Sequence, residues 1–102
     1  MANAVGHDTI GIGHGVKTVA AAGTDEALVS AITWAKWVTI QAQTDNTGVI
    51  AVGASGVDAT VATGTGVALA AGEMITIPCD DLKDIYIDAT VTGDGVRFTY
   101  GT

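Results

Sequence analysis

The stretch "GEMITIPCDDLKDIYIDATVTGDGV", Gly72 to Val96, decides the fold. It carries six of the chain's eleven acidic residues: Glu73, Asp80, Asp81, Asp84, Asp88 and Asp94. It also carries two runs of period two. In "MITIP", Ile75 and Ile77 share one face, Thr76 lies opposite, and Pro78 ends the run. In "DIYIDAT", Ile85, Ile87 and Ala89 point one way; Tyr86, Asp88 and Thr90 point the other. Alternation of this kind makes half-buried strands, and "TGDG" (Thr92 to Gly95) makes a hairpin turn after them. The acids then belong to the wet side of a sheet and to its turns.

The same period recurs outward from this stretch. "KWVTIQAQ" sets Val38, Ile40 and Ala42 against Trp37, Thr39, Gln41 and Gln43. "VRFTY" sets Val96, Phe98 and Tyr100 against Arg97 and Thr99. Each buried Val, Ile or Phe contributes about 1.5–3 kcal/mol, so a one-residue slip that turns these faces outward is costly. "TDEALVSAI" (Thr24 to Ile32) is the best helical candidate, but it is short and runs into Thr33–Trp34, so it reads as extended. Strands are expected at Val16–Ala22, Ala27–Ala31, Lys36–Gln43, Thr47–Val52, Ala59–Thr63, Met74–Pro78, Asp84–Val91 and Val96–Tyr100. About eight short strands separated by Gly-bearing turns predict an all-β chain, an antiparallel, jelly-roll-like β-sandwich over 16–102. Residues 1–15, rich in Gly and without a pattern, read as a flexible N-terminal arm.

Composition narrows the function classes. The 102 residues suit one domain. Charged residues are only 15% against about 25% in an average domain, and 48% are hydrophobic. Such a surface fits a chain that hides part of itself in an assembly. The formal charge is −7, with Lys17, Lys36, Lys83 and Arg97 the only cations, so nucleic acid is not an expected partner. The apolar runs are too short for a membrane helix, and Met1 to Gly15 has no secretory pattern.

Candidate chemistry is sparse. Asp80, Asp81 and Asp84 in "DDLKD" are the calcium candidates, but the run lacks the Gly that lets a calcium loop fold round an ion. His7 and His14 flank "GIGHG" without a third ligand, and the motif lacks the G-K-[ST] of a phosphate loop. Ser30 and Ser55 stand in no nucleophile motif. Cys79, after Pro78, reads as a small buried hydrophobe rather than a nucleophile. No catalytic, metal or cofactor residue is therefore assigned. Trp34 and Trp37, three apart in an extended segment, face opposite sides; one suits the core. Trp37, on the Thr/Gln face, is either an interaction platform or packed under a loop. Trp34, Trp37, His7 and His14 are the candidate interaction residues.

From Val16 to Thr102, through "VKTVAAAGTDEAL", "WVTIQAQTDNTGVIAVGASGV" and "LAAGEMITIPCDDLKDIYIDATVTGDGVRFTY", the chain resembles small β-sandwich phage virion proteins, some of which decorate or cement capsids. The resemblance implies a non-enzymatic, homotrimeric virion component, assembled in the host cytoplasm and seated on the major capsid protein. It carries over no catalytic residue. The alternative from the residues is a carbohydrate- or receptor-binding module of a phage fibre or tail, using an exposed Trp34 or Trp37.

Overall fold

Alternation of inward apolar residues with more exposed ones marks Trp37–Ala42, Met74–Pro78 and Gly95–Gly101. The computed structural model describes residues 11–102. The strands are β1 (Ile12–Thr18), β2 (Glu26–Ala27), β3 (Trp37–Ala42), β4 (Ile50–Gly53), β5 (Val67–Leu69), β6 (Met74–Pro78), β7 (Tyr86–Ala89) and β8 (Gly95–Gly101). They form two four-stranded antiparallel sheets, ordered β1-β8-β3-β6 and β2-β7-β4-β5. The pairs are nested. β4 pairs with β5, β3 with β6, β2 with β7 and β1 with β8, as in one long hairpin. Two further pairings, β3 with β8 and β4 with β7, roll that hairpin into the sheets. This is jelly-roll order, so the expected all-β sandwich is the fold.

The core lies between the sheets. Val38 faces Tyr100, Ile40 faces Phe98 and Ala42 faces Val96 on the inner side of the first sheet. Ile50, Val52, Leu69, Ile87 and Ala89 meet them from the second. Ile40 and Ile50 are fully buried. At the β1/β2 edge, Lys17 Nζ reaches Glu26 Oε1 at 2.9 Å and ties the two sheets together. Glu26 Oε2 also accepts the backbone N–H groups of Ala20 and Ala21. Partial burial pushes the Glu26 carboxyl up, but Lys17 and these backbone donors outweigh it and hold it below its ordinary range.

The structure corrects three sequence expectations. First, the arm expected over residues 1–15 does not extend to 15: β1 begins at Ile12 and pairs with β8 along its whole length. Gly13 and Gly15 allow this, because an added Cβ would run into the Tyr100 ring at the first and the Phe98 ring at the second. The rings lie across the glycines and cover the neighbouring strand. Gly11 closes the pair: its carbonyl accepts from Thr102 N at 2.9 Å, and its N–H donates to Thr102 Oγ1 at 2.9 Å. Residues 1–10 lie outside the described residues.

Second, Ala59–Thr63 is not a strand but part of a turn-rich connection, and the strand forms later, at Val67–Leu69. Asp58 Oδ1 accepts both the N–H and the hydroxyl of Thr60, and Asp58 exchanges further bonds with Thr65. Local side-chain bonds of this kind compete with a strand ladder. Third, the second, fourth and seventh strands are shorter than expected, and the second shares only Ala27 with its expected range. Asp84 falls in a 3-10 turn, Leu82–Asp84, capped by Asp81, and β2 spans only Glu26–Ala27. The Thr24–Ile32 segment contains no helix, as expected.

The two outer faces differ. The β4–β5 connection folds back over the second sheet, where Val57 and Ala59 pack with Ala51 against Tyr86. Nothing comparable among the described residues covers the first sheet.

Candidate functional site

The acids of Gly72–Val96 separate into two groups. Asp80, Asp84 and Glu73 are exposed, Glu73 accepting the Ala70 N–H in its own turn. Asp81, Asp88 and Asp94 are buried, at 8%, 1% and 6% exposure. Each buried carboxylate accepts backbone N–H groups from a distant loop. Asp81 Oδ1 takes Thr33 N at 2.8 Å and Lys83 N at 3.0 Å. Asp88 takes Gly23 N at 3.1 Å and Ala59 N at 2.8 Å. Asp94 takes Thr47 N at 3.2 Å and Gly48 N at 2.8 Å. These charge-assisted bonds anchor four loops to one segment. Backbone donors from Thr33 and Lys83 hold the Asp81 carboxyl below its ordinary range. Among the described residues no three His, Cys, Asp or Glu side chains are grouped to hold a metal ion.

The remaining candidates scatter. His7 lies outside the described residues, and His14 is exposed on the outer face of β1. Ser30 and Ser55 are exposed, and Ser30 lines an open cleft with Gly15, Val16 and Phe98. Cys79 is half-buried against the core. Burial pushes its thiol up, and the negative charges of Asp80, Asp81 and Asp84 add to the effect, so thiolate formation is disfavoured.

The structure separates the two tryptophans. Trp37, for which an exposed platform and a packed position were both open, is half-buried, its indole lying over Gly101 in the space an added Cβ would take. Trp34 is the exposed one, at 67%, so it is not the core residue. Its backbone bridges to Asp81 just outside β3, which turns the indole away from the sandwich.

Two surfaces stand out. The first is the outer face of the β1-β8-β3-β6 sheet. Register places Ile12, Gly101, Trp37 and Pro78 in one row across it. His14, Thr99, Thr39 and Thr76 form the next, and Val16, Arg97, Gln41 and Met74 the third. Thr39 and Thr76 share a hydroxyl hydrogen bond of 2.7 Å. No carboxylate lies on these rows, and Ile12, Val16 and Met74 are 74%, 65% and 59% exposed. The second surface is an open cleft of about 380 Å³ at one end of the sandwich, lined by Trp34, Ala35, Lys36, Asp80 and Thr102. Sequence reasoning missed the Ile12, Val16 and Met74 face and the Lys36/Asp80 pair. The first was findable: Ile12, His14 and Val16 alternate with Gly13, Gly15 and Lys17. The second joins residues far apart in the chain.

None of the protein-family models, curated proteins or solved structures compared with this chain matches it.

Proposed function

We propose that the protein is a non-enzymatic virion component that decorates and stabilises a phage capsid as a homo-oligomer. The observation that carries this reading is the bare outer face of the first sheet. The chain is strongly acidic, at −7, yet this face has no carboxylate and exposes Ile12, Val16 and Met74 around the half-buried Trp37. A carboxylate-free, partly apolar sheet face whose one full charge is the Arg97 guanidinium suits burial against a protein surface, and acids elsewhere keep the free protein soluble. The buried aspartates support the same reading, since both oxygens of Asp88 and of Asp94, and Oδ1 of Asp81, are engaged in holding loops. Three copies per assembly and the major capsid protein as partner come from the resemblance to small phage virion proteins.

Light scattering after size exclusion, and co-sedimentation with heads of the encoding phage, test the reading. Three chains per particle and binding to heads are expected. The double variant Val16→Asp, Met74→Asp alters only exposed side chains and is expected to abolish head binding while remaining folded by circular dichroism. A monomer at micromolar concentration, or head binding unchanged in the double variant, would overturn it.

A further inference from the structure

The cleft at Trp34 has the features of a small-ligand site rather than of a stray exposed aromatic. Trp34 is 67% exposed, but its backbone is held on both sides. It bridges to Asp81, Ala35 N donates to Asp80 O at 3.0 Å, and Lys36 N donates to Gly101 O at 2.7 Å. Leu82 N donates to Thr33 O at 3.0 Å. The indole therefore stands on a fixed base, and little backbone ordering is lost when something stacks on it. Lys36 and Asp80 line the same cleft. They make no ion pair with each other, and among the described residues neither side chain has a hydrogen-bond partner. The volume, about 380 Å³, lies in the range of roughly 300–1,000 Å³ common for ligand pockets.

We propose that this cleft binds a neutral pyranose sugar, stacked on Trp34 with its hydroxyl edge between Lys36 and Asp80. The C–H face of a pyranose is apolar and fits an indole face. Its hydroxyls both donate and accept, so an ammonium donor and a carboxylate acceptor serve the two ends of one ring. One cation and one anion leave the cleft balanced, which favours an uncharged ligand. Asp81 and Asp84 nearby and the chain's −7 disfavour phosphates and acidic sugars. A quaternary ammonium would need several aromatic walls, and the cleft has one. This binding activity does not rest on the capsid reading, which concerns the outer face of the first sheet.

The test is a titration with methyl glucopyranosides, methyl mannopyranosides, N-acetylglucosamine and their short oligomers. The readouts are the Trp34 indole N–H resonance and, in a Trp37→Phe background, Trp34 fluorescence. Saturable shifts with at least one probe are expected, retained in Trp37→Phe and absent in Trp34→Ala. Asp80→Asn and Lys36→Met are each expected to weaken binding about five-fold, the equivalent of one hydrogen bond of about 1 kcal/mol. Trp34 is exposed, so Trp34→Ala is expected to keep the wild-type melting temperature. No shift with any probe up to its solubility limit would overturn the proposal, as would binding that survives Trp34→Ala. An indole that responds only to phage heads would assign the cleft to a protein partner instead.

Discussion

Asp88 combines 1% exposure with a carboxylate whose two oxygens accept from different loops, Gly23 N on one and Ala59 N on the other. The second bond fastens the connection that covers the outer face of the second sheet. Replacing Asp88 by Ala would leave the Ala59 N–H without an acceptor and leave Gly23 N only its longer bond to Ala89 O at 3.3 Å. An unsatisfied buried donor costs about 1–3 kcal/mol, so Asp88→Ala is expected to destabilise the protein by about 2 kcal/mol in urea titration. The exposed Asp80→Ala is expected to stay within about 0.5 kcal/mol of wild type. Alternation in "DIYIDAT" placed Asp88 correctly opposite Ile87. It could not show that this outward side is covered, because the cover comes from residues 57–59, roughly thirty positions earlier. Period two tells which residues share a face; what lies over that face is decided by non-local packing.

At the level of the strand, β1 shows how a motif changes meaning once its neighbour is known. "GIGHG" has the look of a loop, and only its partner β8 explains it. Gly13 and Gly15 lie opposite Tyr100 and Phe98, whose stacked rings, 6.3 Å apart at their centres, occupy the space their side chains would take. Phe98 belongs to the core and cannot give way freely. Gly15→Ala is expected to cost about 1–3 kcal/mol through overpacking, read as a lower urea midpoint. A Phe98→Leu exchange in the same background is expected to recover part of the loss, which a purely conformational effect of glycine would not allow. The β4–β5 connection carries the converse lesson. Its Ala, Val and Thr residues have strand propensity, yet the Asp58 bonds to Thr60 and Thr65 hold a turn-rich loop there.

For the whole molecule, the jelly roll was legible because strand length, turn spacing and inward residues agree with one another. The nesting of the pairs was not written in any one segment, since β1 and β8 sit at opposite ends of the described chain. The interaction residues were less legible still. Trp34 and Trp37 share a composition signal, and only the bridge to Asp81 and the bare Gly101 backbone decide which is exposed.

The hydrogen bonds between Gly11 and Thr102 have a consequence for connectivity. Two neighbouring antiparallel positions can be joined by a two-residue Asn-Gly hairpin. A circular permutant that links residue 102 to residue 11 in this way, and opens at the exposed Ala62–Thr63, would keep every strand pairing. It would turn the longest-range pairing, β1 with β8, into a local one, while β4 and β5 would become the distant pair. The seven paired positions of β1–β8 outnumber the three of β4–β5, so mean contact separation falls. Folding slows as contact order rises, so the permutant is expected to refold faster than the natural connectivity in stopped-flow fluorescence. An unchanged or slower rate would mean that forming β1–β8 does not limit folding.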